Sequence, residues 1–310
     1  MNTQISVQRV TVAALLFGLS MALGAMSARA ADEGKSAAAQ ATDKDKEKPK
    51  ITEETPYVTS PKNVVDTMLR MAGVRANDFV IDLGSGDGRI VITAAQEYKA
   101  RGIGIEYDPT LVKLATRNAR IAGVSDRATF LEQDIFKSDF SQASVVTIYL
   151  LPQYNAVLQP ALLALKPGTR IVSHDYGIGD WEPEAREVIP VPEKKVGLKK
   201  ESVILFWVVP ARLQGRWSST VQTMQGATTV EFDIRQKNQR IEGTAKMRGR
   251  QWPIERAYIN GTYVSFRFGE GDDTLLFSGH AASSHINGQV VLSNNRNLRW
   301  RALKASAAKG

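Results

Sequence analysis

The stretch Asp78-Phe-Val-Ile-Asp-Leu-Gly-Ser-Gly-Asp-Gly-Arg-Ile90 decides the fold. Phe79 to Leu83 is a short apolar run and predicts a buried parallel strand. The strand carries an acid, Asp82, and three glycines follow at alternate positions, Gly84, Gly86 and Gly88. Arg89 to Glu97 predicts a helix. A strand, a tight glycine turn and a helix N-terminus let backbone approach a nucleotide-like ligand closely. Glu106 ends the next apolar run, about 20 residues on, where a ribose-binding carboxylate belongs in such a unit. The Gly-x-Gly-x-x-Gly spacing that makes room for a pyrophosphate is absent. An acid at the strand end suits a cationic or amino-bearing ligand better, because its charge repels phosphate.

Asp82-x-Gly84-x-Gly86-x-Gly88 followed by Glu106 resembles motifs I and II of the class I S-adenosylmethionine-dependent methyltransferases. The resemblance narrows with Tyr57-Val-Thr-Ser-Pro61, Gly104-Ile-Glu106, Asp139-Phe-Ser141 and Asp180-Trp-Glu-Pro183. Together with the glycine turn, these look like the ATP synthase c-subunit lysine methyltransferase family and its bacterial relatives, over roughly residues 55–185. The resemblance implies a Rossmann-like, seven-strand α/β methyltransferase fold, S-adenosyl-L-methionine as cofactor and a protein lysine as acceptor. It implies that Asp82 holds the methionine amino group, while Gly84, Ser85, Gly86 and Gly88 approach the methionine and ribose. Glu106 takes the ribose hydroxyls. Asp134 takes the adenine amine, with Ile135 over the ring. Tyr57 and Thr59, in the proline-flanked entry segment, are placed either to line the cofactor mouth or to position the loop.

Around this core, apolar runs alternate with helical patterns. Helices are expected at 64–72, 109–121 and 153–165, and strands at 127–131, 144–151, 169–174 and 199–209. Asp82, Glu106, Asp134 and Tyr149 all fall at strand C-termini, where ligands bind in such sheets. A lysine must lose a proton before it attacks a methyl group. Tyr149, His174 and Asp175 are the candidates to assist. Three His and no Cys, never at ligand spacing, imply no metal.

The 310-residue chain, formally +8, is longer than a usual single domain. Arg9, the apolar stretch Thr11 to Met26 and Ala28-Arg29-Ala30 predict a signal peptide over residues 1–30. The expected location is then the periplasm, or the inner membrane surface if the signal stays as an anchor. Residues 31–54 are polar and charged and predict a disordered linker. The methyltransferase domain is expected at 55–210. After Pro210 the pattern changes to short alternating segments with hairpin signals at Asn260-Gly261 and Asn287-Gly288. This predicts a small antiparallel all-β barrel or sandwich over 211–304, with a tail at 305–310. Between residues 211 and 304, Lys and Arg number 14 against 7 Asp and Glu. That excess fits an envelope or membrane-surface partner; nucleic acid is not expected. The whole reads as an enzyme that N-methylates a protein lysine or another amine. The alternatives are a small-molecule or lipid methyltransferase, or an exported binding protein on the same fold.

Overall fold

A computed structural model describes residues 57–194 and 199–305. The expected signal peptide and linker lie outside the described residues. The first layer is a seven-stranded sheet built from β1 (Phe79–Leu83), β2 (Arg101–Glu106), β3 (Ala128–Glu132), β4 (Val145–Ile148), β5 (Arg170–His174), β6 (Ala185–Pro190) and β7 (Glu201–Val208). The order is β3-β2-β1-β4-β5-β7-β6. The first five strands run parallel, and β7 is antiparallel to both β5 and β6. This is the seven-strand methyltransferase fold that the resemblance implied, with the parallel core that the alternating pattern predicted.

Strand alternation decides which residue faces which layer. Ile81 and Leu83 join one core with Ile105, Val146, Ile148, Ile171 and Trp207. Val80 lies on the other face, under α1 (Lys62–Met71) and α2 (Arg89–Tyr98), among Val64, Met68, Leu69 and Ile90. α3 (Pro109–Ile121) packs through Ala115 and Ala119 on Val91, Ile92 and Ala95 of α2 and on Phe130 of β3. It starts cleanly because Asp108 accepts a hydrogen bond from the Thr110 amide at 2.7 Å and Pro109 occupies the first turn. α4 (Pro152–Leu163) adds Leu158 and Leu162 to the Trp207 core. At the N-terminal end of the sheet, buried Asp78 accepts from Ser144 Oγ at 2.7 Å and pairs with Arg170. These bonds tie the starts of β1, β4 and β5 and leave the opposite ends free.

The second sheet is entirely antiparallel. It contains β8 (Gly215–Thr223), β9 (Gly226–Lys237), β10 (Arg240–Met247), β11 (Arg250–Pro253), β12 (Glu255–Asn260), β13 (Tyr263–Phe268), β14 (Leu275–Ala281), β15 (His285–Leu292) and β16 (Asn297–Lys304). The order β11-β10-β9-β8-β16-β15-β14-β13-β12 brings the two chain-adjacent strands to its edges, so the sheet curls into a nearly closed barrel rather than a sandwich. Its interior is filled by Trp217, Phe232, Phe266, Phe268, Phe277 and Trp300, whose rings meet mostly edge to face.

Two expectations need correction. The strand at β6 is absent from the sequence reading, because Ala-Arg-Glu-Val-Ile-Pro on an exposed edge has little apolar signal. Asn287-Gly288 is not a turn. Both residues lie inside β15, where Gly288 pairs with Gly279 on one side and Trp300 on the other. A Cβ on Gly288 would sit 1.9 Å from the Ser278 carbonyl oxygen, so this glycine serves close strand approach. Gly288→Ala is therefore expected to lower unfolding stability by about 2 kcal/mol or more. Gly177→Ala, which meets open space, should change it by less than about 0.5 kcal/mol. Denaturant melts of both variants check the contrast.

Candidate active site

The free C-terminal strand ends surround a cavity of about 580 Å³, within the usual range for a small-molecule site. Its walls differ in chemistry. The β1–β2 side carries Asp82, Asp87, Glu106 and Asp108. The β4–β5 side carries Tyr149, Leu150, Leu151, Tyr154 and Tyr176.

Asp82 is 2% exposed. Thr147 Oγ1 on the neighbouring strand donates to its Oδ1 at 2.6 Å. Burial pushes the Asp82 carboxyl up to about 7; the hydrogen bond opposes this, and the negative Glu106 and Asp87 add to it. In the fold this group holds a proton that the unfolded chain releases near pH 4. Its contribution to stability is full below that pH and lost as pH rises through about 7. A cation bound beside it reverses the preference.

Glu106 is held by backbone. Its Oε2 accepts from the Gly86 amide at 2.8 Å, and its Oε1 from the Tyr107 and Asp108 amides at 2.8 and 3.0 Å. The carboxylate is thus fixed across the mouth of the glycine turn. Gly86 has φ +53°, and a Cβ there would lie 2.6 Å from the Tyr57 ring. The segment before α1 thereby closes over the turn. Tyr57 also bonds Asp87, and burial with that neighbouring charge raises its hydroxyl to about 12. Burial works to raise the Asp87 carboxyl too, but Arg89, 2.6 Å away, overrides it and holds Asp87 below its usual range. Arg89 Nη1 in turn donates to the Ser60 carbonyl at 2.8 Å and locks the strap.

Opposite, the Tyr149 ring stacks on His174 with centroids 3.9 Å apart, and Tyr176 lies nearly parallel to it at 6.4 Å. Burial, with the charge of Asp175, raises the Tyr149 hydroxyl to about 12, so it stays protonated. His174 does not reach the cavity. It sits behind Tyr149, its Nδ1 2.9 Å from Ser60 Oγ and its Nε2 2.9 Å from Ser202 Oγ. Burial drives its pKa down to about 4; Asp175 opposes the shift and Lys194 assists it. Asp175 is also off the wall, bound to the Val203 amide at 3.0 Å and to Lys194 at 2.7 Å. Gly88 caps α2 behind the turn, against Phe130 and Ala115. Asp134 turns back to accept from the Phe136 amide at 2.8 Å, while Ile135 lines the cavity. Tyr57, Asp82, Gly84, Ser85, Gly86, Glu106 and Tyr149 line it as well. Tyr176, Asp87 and Ser60 were not foreseen. For Tyr176 the available signal was its place just past the end of β5.

These residues fit S-adenosylmethionine. The glycine turn makes a cradle that side chains would fill, since a Cβ on Gly84 would lie 2.6 Å from Leu150. Ser85 Oγ is buried in the cavity lining with no hydrogen-bond partner among the described residues. A carboxyl raised to about 7 by burial suits a cationic group, which would favour its ionised form.

Comparison with known proteins agrees. The model of the ANTKMT methyltransferase domain matches residues 82–185. A protein-lysine N-methyltransferase of Saccharolobus islandicus is 44% identical over 140 residues, covering 44% of this chain and 86% of that protein. The chain belongs to this methyltransferase family. The methyltransferase is also 37% identical over 130 residues to the mouse ATP synthase c-subunit lysine N-methyltransferase, but this match spans only 52% of the mouse protein and 42% of this chain. A solved RNA methyltransferase from Salinibacter ruber, in complex with S-adenosyl-L-homocysteine, is 48% identical; the match covers 50% of this chain and 96% of that one, with a TM-score of 0.45. The enzyme is a class I methyltransferase with S-adenosylmethionine as cofactor.

A carboxyl raised to about 7 must ionise before it can pair with an ammonium, so the expected role of Asp82 at the cofactor's amino group predicts that affinity for S-adenosylhomocysteine rises with pH through about 7. Asp82→Asn should remove that step and weaken binding at pH 8 about 30-fold, the worth of one charge-assisted hydrogen bond. Calorimetric titration from pH 6 to 8 checks both. A pH-independent affinity would place Asp82 outside the binding step.

Proposed function

We propose that the enzyme N-methylates a lysine side chain of a protein by in-line methyl transfer. The observation that carries this reading is the division of the cavity into an acidic half and an aromatic half. S-adenosylmethionine, when bound, supplies a sulfonium whose methyl carbon is electrophilic. The chain's part is to hold the two reactants in line and to control protons.

Asp82 and Glu106 suit the amino group and the ribose, and Ile135 an apolar ring face. Asp134, whose carboxylate caps its own turn, is a candidate for the adenine amine through a small rotation. The Tyr149–Tyr176 wall suits the acceptor. Aromatic faces attract an ammonium on approach. The same wall, with Leu150 and Leu151 beside it and no carboxylate among its lining residues, disfavours the charged amine once water is displaced. A lysine there is driven toward its neutral, nucleophilic form. Ser60 on the wall is hydrogen-bonded to His174, which burial keeps neutral at physiological pH and makes a weak base. Asp175, itself paired with Lys194, lies 3.4 Å from the ring's Nε2. The relatives named as lysine N-methyltransferases support the same acceptor chemistry. The N-terminal pattern supports export of the enzyme, and an envelope protein would then supply the lysine.

The test is transfer of labelled methyl from S-adenosylmethionine to an envelope-protein fraction, followed by acid hydrolysis and amino-acid analysis. Label in methylated lysine is expected. Label in base-labile methyl esters or in extracted lipid would overturn the lysine reading. Tyr176→Ala should reduce transfer more than about tenfold while S-adenosylhomocysteine affinity stays within about twofold.

A further inference from the structure

The second sheet has no place in the chemistry described so far, yet its contacts with the first domain concentrate on one segment. That segment, residues 175–184, leaves β5, carries Tyr176 into the cavity and returns to β6. Its first part is held from within. Ser173 Oγ donates to the Tyr176 carbonyl at 2.7 Å, and Asn155 Nδ2 to the Gly177 carbonyl at 3.0 Å. Its middle is anchored by Ile178 and Trp181, both buried, with Trp207 Nε1 donating to the Trp181 carbonyl at 2.9 Å.

The rest is held by the β9–β10 turn. Each of its four residues from Lys237 to Arg240 reaches the segment. Lys237 Nζ pairs with Asp180 Oδ2 at 2.8 Å. Asn238, at φ +53°, reaches Asp180 and Gln159 at the edge of hydrogen-bond range, 3.5 Å each. Gln239 donates to the Glu182 carbonyl, and Arg240 pairs with the Glu182 carboxylate. Gln159 of α4 closes the network on Asp180 at 2.7 Å. Gln159, Lys237 and Asn238 together hold the Asp180 carboxyl well below its usual range. A second turn helps. Asn260 at the end of β12 bonds Glu184, whose carboxyl burial raises. The Gly261 carbonyl accepts from the Ala211 amide at 2.7 Å, and a Cβ on Gly261 would lie 3.2 Å from Gly168 Cα.

An exposed ion pair alone contributes little. Here several contacts converge on ten residues whose conformation fixes one cavity side chain. None of them touches Asp82, the glycine turn or Glu106. The geometry points to the β domain as the positioning element of the acceptor half of the site. Its β9–β10 turn pins residues 175–184 and so keeps Tyr176 in the wall beside Tyr149. The consequence for the acceptor rests on the proposed lysine chemistry; the pinning does not.

The experiment uses the full chain and the variant Lys237→Glu/Arg240→Glu. Hydrogen exchange of residues 176–184 and nitration of Tyr176 by tetranitromethane, both read by mass spectrometry, report the pinning. Both should quicken at least fivefold, and S-adenosylhomocysteine affinity should stay within twofold. With poly-L-lysine as acceptor, KM should rise at least fivefold with a smaller change in kcat. Adding Asp180→Lys/Glu182→Arg, which restores the pairs with reversed sign, should recover slow exchange and the low KM. Unchanged exchange and nitration in the double variant would overturn the inference, as would quickened exchange with unaltered KM. If the unmodified enzyme fails to methylate poly-L-lysine, the lysine reading suffers. The exchange and nitration results then still decide whether the turn holds Tyr176.

Discussion

A carboxyl buried at the end of the central strand is the constraint on which the site depends. Among the described residues, Asp82 accepts a hydrogen bond from Thr147 and has two negative neighbours, and it is almost wholly shielded from water. An isolated buried charge is unfavourable, so burial raises the Asp82 carboxyl to about 7, and a neighbouring cation would favour the ionised form. The surrounding architecture follows from that. Glu106 must be held off Asp82 by backbone amides, the turn between them must be glycine, and Tyr57 and Arg89 must close its outer side. The Asp78 network at the opposite end of the sheet fixes the strand starts and lets their other ends splay around a ligand.

Much of this half was legible in the chain because it is local in sequence. Asp82, the glycines and Glu106 lie within one βαβ unit, and Pro109 to Ile121 announces its helix through its own cap. What was not legible depends on distant partners. Tyr176 faces the cavity because Asn155, on another element, holds its loop. The carboxylate of Asp134 is engaged by the Phe136 amide two residues on and is not among the residues that line the cavity. His174 sits behind Tyr149 because two serines, from the strap and from β7, satisfy both its ring nitrogens. In the β domain, Asn287-Gly288 has the composition of a turn and the position of a strand crossing. Only the pairing of Gly288 with Gly279 distinguishes the two.

The two halves of the cavity divide the work. The acidic half is rigid and belongs to the glycine turn. The aromatic half is carried partly on a loop whose outer surface belongs to the β domain. The aromatic filling of that domain makes it a stiff body, well suited to brace a neighbour rather than to enclose a ligand. On the proposed reading, the glycine-turn half receives the cofactor and the antiparallel sheet braces the wall that faces the acceptor.

The most direct test of the central claim maps ligand protection by hydrogen exchange with saturating S-adenosylhomocysteine. The account predicts protection at residues 82–89 and 104–108, with no change across strands 215–304. Protection confined to the β domain, or none at the strand ends, would contradict it.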